Sequence, residues 1–278
     1  MLATRIVSAL VLGAIVLAAL FFLSPTGWAL FSVLILLISG WEWGGFAGLA
    51  TTGRAAMALT LGALCWAAAV WTGLSTGAPV AGRSTMFYGV AAVFWLVASP
   101  LWLARAPVRS VPLVIAACYI VMVPTYVAFV ELPRFGPHVF LLIGAVVWIA
   151  DVAAYFTGRR FGQRKLAPSI SPGKSWEGVW GALAAVALYA VVAAGPLRTA
   201  VGATPASTPT LLMIFAALAL TGLAVVGDLF ESTLKRQAGV KDSGRIMPGH
   251  GGILDRIDAM LPVLPLAMLG ILALRTLQ

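Results

Sequence analysis

Residues 232–258 read STLKRQAGVKDSGRIMPGHGGILDRID. The stretch carries Lys235, Arg236, Lys241, Arg245 and Arg256, the acids Asp242, Asp255 and Asp258, and His250. On both sides the chain turns apolar: 210–230 holds one charged residue, Asp228 near its end, and the run that begins at 253 continues to 274. An apolar run of about 20 residues is long enough to cross a bilayer as a helix. The polar stretch is therefore read as a Gly- and Pro-rich loop between two membrane spans, with exposed backbone N–H groups.

The rest of the chain supports that reading. Of 278 residues, 61% are apolar and only 10% are Asp, Glu, Lys or Arg, with a mean hydropathy of +1.01; soluble domains carry about 25% charged residues. Nine stretches have span-like length: 6–23, 28–50, 55–73, 87–104, 111–130, 139–156, 176–194, 210–230 and 253–274. The fold class expected is an all-α polytopic integral membrane protein with about nine transmembrane helices. The first stretch is too long for the apolar core of a signal peptide and has no A-x-A-like site after it, so it is taken as a retained helix.

Orientation follows the basic residues. With nine spans, Arg5, Arg54, Arg105, Arg109, Arg159, Arg160, Arg164, Lys165, Lys174, Lys235, Arg236, Lys241 and Arg245 share one side, against Arg83, Arg134, Arg198 and Arg275 on the other. This asymmetry predicts a cytoplasmic N-terminus and two long cytoplasmic basic loops. The net charge of +9 is concentrated in those loops, which points to anionic lipid or an anionic solute and not to nucleic acid. Cys65 and Cys118 sit inside apolar spans and read as packing residues.

The acids are unevenly placed. Residues 1–130 contain only Glu42, whereas Asp151, Glu177, Asp228, Glu231, Asp242, Asp255 and Asp258 crowd the C-terminal half. A carboxylate in a membrane helix costs about 2.5–3.5 kcal/mol on insertion scales. Residues 1–135 accordingly read as a scaffold and 136–278 as the catalytic region. Glu42 lies on a helix whose Gly40, Gly44 and Gly48 form one small-residue face, suited to helix packing or a homodimer contact; nothing in the sequence supports a substrate role for it.

Two clusters carry chemistry. The first is Asp151 and the loop SISPGKSWEG, with Ser171, Lys174, Ser175 and Glu177 at the start of the next span; Pro168 and Pro172 interrupt any helix there. A P-loop is excluded, since its first glycine position is Pro168. The second is Asp228, Ser232 and the loop of the opening stretch. Asp255 and Asp258, three residues apart, share a face if they lie on a helix; a divalent cation relieves their repulsion, with Asp228 completing the ligand set. Salt bridges to Arg256, Lys235 or Arg236 are the alternative for these acids. A lone His250 gives no zinc site. Loops rich in Lys, Arg, Gly and Ser beside intramembrane carboxylates suit a polyphosphate bound with Mg2+.

The run Ser232-Thr-Leu-Lys235-Arg236, Lys241-Asp242, Pro248-Gly-His250-Gly251-Gly252 and Asp255-Arg256-Ile-Asp258 resembles the signature of the phosphatidate cytidylyltransferase (CDP-diacylglycerol synthase) family, without departure in this stretch. Asp151, Ala154-Tyr155, Gly158, Ser171-Pro172, Lys174-Ser175 and Glu177-Gly178 are similar to the family's upstream motif. The resemblance implies that CTP and phosphatidic acid give CDP-diacylglycerol and pyrophosphate, with Mg2+, alone or with a second cation, in a bacterial inner membrane and with the active site facing the cytoplasm. On this reading Asp228, Lys235, Arg236, Lys241, Asp242, His250, Asp255 and Asp258 are catalytic, Asp228, Asp255 and Asp258 hold the metal, and Asp151, Ser171, Lys174, Ser175, Glu177, Ser232, Arg245, Gly251, Gly252 and Arg256 bind substrate. A CTP-dependent lipid kinase of the dolichol or phytol type is the nearest alternative, and a cation-coupled transporter a more distant one; the D-G-x-x-A-R motif of CDP-alcohol phosphotransferases is missing from the sequence.

Overall fold

The computed structural model describes residues 2–105, 110–246 and 251–276, with side chains from residue 10 to 275. The chain is a nearly all-α polytopic membrane protein. Its helices are α1 (Leu2–Phe22), α2 (Pro25–Phe46), α3 (Thr51–Thr72), α4 (Arg83–Val93), α5 (Ser99–Ala104), α6 (Val111–Glu131), α7 (Pro137–Phe161), α8 (Trp176–Val201), α9 (Thr210–Gln237), α10 (Leu254–Ile257) and α11 (Met260–Thr276). A π-helical turn, Phe94–Ala98, joins α4 to α5 without a break. Among the described residues seven helices are long and apolar enough to cross a membrane, and the shorter apolar helices Leu10–Phe22 and Met260–Arg275 occupy the first and last of the nine expected stretches. Leu59, Leu188, Val192 and Phe215 point outward, as an apolar belt facing hydrocarbon does.

Helix ends follow local rules. Pro25, Pro112 and Pro137 stand in the first turns of α2, α6 and α7, where the missing N–H costs nothing. Pro133 leaves the Phe129 carbonyl, four residues earlier, without its helical donor. The buried Trp28 indole N–H of α2 donates to that oxygen at 3.0 Å, so one side chain both satisfies an orphan acceptor and locks α2 to α6. Around this contact Trp28, Trp43, Tyr126 and Phe230 form part of one continuous core.

Two features add to the expectations. The loop after α7 contains a short antiparallel hairpin, β1 (Lys165–Ala167) and β2 (Ser171–Ser175); the prolines that forbid a helix leave extended backbone free to pair. The glycine face of α2 packs on α3 of the same chain. A methyl group on Gly40 would lie 2.9 Å from the Leu61 side chain, and one on Gly44 would lie 3.2 Å from Cα of Arg54. Gly40 and Gly44 therefore serve the helix packing that their spacing suggested, while Gly48 lies beyond the end of α2 with a φ of 71°.

Candidate functional site

The site forms where the end of α9, the β1–β2 hairpin and the segment before α11 meet. Ser175 caps α8, its hydroxyl accepting from Gly178 N at 3.2 Å. Glu177 accepts from the backbone N–H groups of Gln163 and Arg164 at 3.1 and 3.2 Å, which satisfies donors at the end of α7. These two residues, expected to touch substrate, shape the hairpin that presents Lys174. The Lys174 ammonium is paired with Asp228 of α9. Arg236, two turns further along α9, donates to the Ile170 carbonyl at 3.2 Å. The two basic loops thus form adjoining walls of one site.

Asp228 also accepts from the Ser232 hydroxyl at 3.2 Å, one helical turn on. Lys235 is buried between two acids, 2.5 Å from Glu231 and 2.7 Å from Asp255. Asp255 is the most heavily bonded carboxylate: Oδ1 takes Lys235, and Oδ2 accepts from Ser243 N at 2.9 Å, Ser243 Oγ at 3.0 Å and Gly252 N at 2.9 Å. Burial pushes the Asp255 carboxyl up, but the Lys235 contact and the two backbone N–H groups outweigh it and hold it below the usual carboxylate range. Gly251 has a φ of 84° and lies close to this oxygen; a Cβ there would stand 2.7 Å from Asp255 Oδ2.

Asp255 and Asp258 do not share a continuous helix. α10 ends at Ile257, Asp258 and Ala259 form a turn, and α11 starts at Met260. Asp258 Oδ1 accepts from Ala259 N at 2.7 Å. Burial, then the neighbouring Asp228 carboxylate, push its carboxyl above the usual range. The two carboxylates therefore stand in different surroundings: Asp255 is bonded to Lys235, whereas Asp258 lies within the field of the Asp228 charge. Among the described residues no three Asp, Glu, His or Cys side chains stand together as a metal-binding group, so the expected triad of Asp228, Asp255 and Asp258 is not assembled as one ligand set. Asp228, paired with Lys174, and the nearby Asp258 together leave an excess of negative charge. Mg2+ is held through one or two carboxylates plus substrate phosphates and water, and Asp228 with Asp258 fits that donor set; Asp255, with its oxygens engaged, does not.

Beside these acids opens a cavity of about 500 Å3. Along α7 its wall is apolar from Phe140 to Trp148 and becomes polar at Asp151; Leu12 and Val16 of α1, Leu36 of α2 and Phe129 of α6 face it, and Asp255, Arg256 and Asp258 line it as well. Lys241, Asp242 and Arg245 are exposed in the loop above, with Asp242 beside Gly251, and Ser171 is half-buried at the start of β2. His250, and Arg109 of the orientation argument, lie outside the described residues.

The turn at Asp258 rests directly on α9. A methyl group on Gly227 would meet the Asp258 carbonyl oxygen at 2.6 Å and Pro262 Cδ at 2.8 Å, neither of which can swing away. Gly227→Ala is expected to displace this turn, lowering stability by about 1–3 kcal/mol and turnover by on the order of a hundredfold; thermal unfolding and initial rates on one preparation check both.

Sequence reasoning missed Glu42. It is buried at 1% exposure and meets this same loop, accepting from Ile253 N, Leu254 N and Ser243 Oγ. The only signal was its position as the sole acid in residues 1–130.

The fold and site define an integral membrane protein with a mixed acidic and basic centre bordering an apolar cavity. The model of the Cytidylyltransferase family matches residues 3–274, and the chain belongs to that family. It is similar to a phosphatidate cytidylyltransferase of Pseudomonas aeruginosa, at 35% identity over 95% of both chains, and to one of Haemophilus influenzae, at 35% identity over 95% of this chain and 96% of that one. A phosphatidate cytidylyltransferase of Thermotoga maritima is 42% identical over 133 residues, 48% of each chain.

Proposed function

We propose that this protein is an enzyme of phospholipid synthesis that converts CTP and phosphatidic acid to CDP-diacylglycerol and pyrophosphate. The observation that carries the reading is the junction of an apolar cavity with a centre where Lys174, Lys235 and three aspartates converge from both loops. The acyl chains of phosphatidate suit the apolar wall between Phe140 and Trp148, and its phosphate then reaches the aspartates. A phosphate oxygen of the lipid attacks the α-phosphorus of CTP. The bond from that phosphorus to the oxygen bridging the β-phosphate breaks, and pyrophosphate leaves. The lipid phosphate is already ionised, so no general base is needed.

Residues 136–278 supply the reacting centre. Lys174 and Lys235 offset the developing charge, and Arg236, Lys241 and Arg245 attract the triphosphate to the loop face. Asp228 and Asp258 would hold Mg2+, which would supply Lewis-acid stabilisation of the developing charge when bound. The asymmetry of Lys and Arg supports a site facing the cytoplasm, where CTP is found, and the relatives' bacterial sources support a bacterial inner membrane.

The products separate this reading from a CTP-dependent lipid kinase. Purified protein with labelled CTP, phosphatidate and Mg2+ is expected to release pyrophosphate and put the cytidine label into lipid. Release of CDP with phosphorylation of a lipid alcohol would establish the kinase instead.

A further inference from the structure

We infer that Glu42, on the second helix of the N-terminal half, is a positioning residue for the transfer reaction: it fixes the loop segment that presents Asp255 and Asp258 and, through Asp255, Lys235. The inference rests on the functional reading above. Glu42 sits 201 to 212 residues from its partners in sequence. Its Oε1 accepts from Ile253 N at 3.1 Å, and its Oε2 accepts from Leu254 N at 2.8 Å and from Ser243 Oγ at 2.9 Å. A buried carboxylate is costly unless its lone pairs are satisfied. Among the described residues no ion pair satisfies this one; its donors are Ser243 of the loop and the backbone at the start of α10. Its burial is therefore tied to one conformation of that segment.

The contact continues inward. Ser243 Oγ lies 2.9 Å from Glu42 and 3.0 Å from Asp255, Ser243 N lies 2.9 Å from Asp255, and Asp255 lies 2.7 Å from Lys235. Gly252 and Gly244 leave room for the approach: a Cβ on Gly252 would stand 2.5 Å from the Glu42 oxygens, and one on Gly244 would collide with Oε1. Glu42 touches none of the groups assigned to the reacting phosphates. Partners that orient reacting groups in this way commonly contribute on the order of 10- to 100-fold in activity.

The test compares the full-length protein with Glu42→Gln, Ser243→Ala and the double variant in lipid nanodiscs. The measurements are kcat, the KM for phosphatidate and thermal unfolding. Glutamine keeps the shape but turns an amide N–H2 toward N–H donors. It is expected to lower kcat per folded molecule about 10- to 100-fold with the KM for phosphatidate unchanged, because the apolar wall is untouched. The double variant should lose no more than Glu42→Gln alone, since both act through one path. A Glu42→Gln protein with unaltered kcat per folded molecule, or additive losses in the double variant, would overturn the inference. If Glu42→Gln does not fold, Ser243→Ala decides alone: lower kcat at an unchanged unfolding midpoint supports the inference, and unaltered kcat overturns it. Failure of the unaltered protein to form CDP-diacylglycerol would sink the functional reading itself, whatever the variants do.

Discussion

Asp258→Ala is expected to cut CDP-diacylglycerol formation by at least about a thousandfold while leaving the protein folded and at least as heat-stable as before. The two halves of that expectation have one cause. Burial of Asp258, together with the like charge of Asp228, opposes its ionisation. Among the described residues its side chain accepts a hydrogen bond only from the adjacent Ala259 N. Removing the carboxylate therefore relieves repulsion and breaks little, so stability holds or rises. The same removal takes away half of the pair that suits a divalent cation and leaves the substrate phosphates without that counter-charge. Loss of activity with gain of stability is the mark of a group held in place for chemistry against its own electrostatics. Initial rates and thermal unfolding on one preparation measure both, and near-normal CDP-lipid formation would remove Asp258 from the centre.

Lys235→Met should behave differently, losing both activity and stability. The lysine lies between Glu231, whose side chain is 1% exposed, and Asp255, at 10%. Removing one member of a buried ionic group strands the others, at a cost of about 3–5 kcal/mol. The ammonium is also the cation nearest Asp255 in the network, and its loss frees that carboxylate from its orientation. Pairing Lys235→Met with Glu231→Gln should recover much of the unfolding midpoint, because one stranded charge is neutralised, but none of the turnover. A double variant no more stable than Lys235→Met would show that Glu231 is not the acid whose burial Lys235 offsets. Full activity in Lys235→Met would exclude the lysine from the reaction.

These two residues mark how far the site can be read from sequence. The polar stretch 232–258, the concentration of acids after Asp151 and the apolar spans around them locate the working half of the chain without coordinates. Spacing alone put Asp255 and Asp258 on one helical face. The helix break at Asp258–Ala259 separates the two, with Asp255 bonded to Lys235, and no periodicity argument detects a break inside LDRIDAML. Ser175 and Glu177 show a related limit: residue types that suit phosphate binding also suit capping α8 and closing the end of α7, and only the folded structure shows which N–H groups they meet.

What the sequence determined by itself is the class of structure and the chemistry of its polar half. Length and hydropathy dictate helices, because a bilayer leaves backbone groups no partners but each other; charge placement and the signature run identify the loops. Only the tertiary structure decided which carboxylate meets which cation, that the hairpin brings Lys174 onto Asp228, and that Glu42 holds a loop more than two hundred residues away. Those contacts come from packing between helices distant in the chain. Local sequence sets what each helix is, but the buried donors and acceptors that must find partners are matched only when the bundle closes.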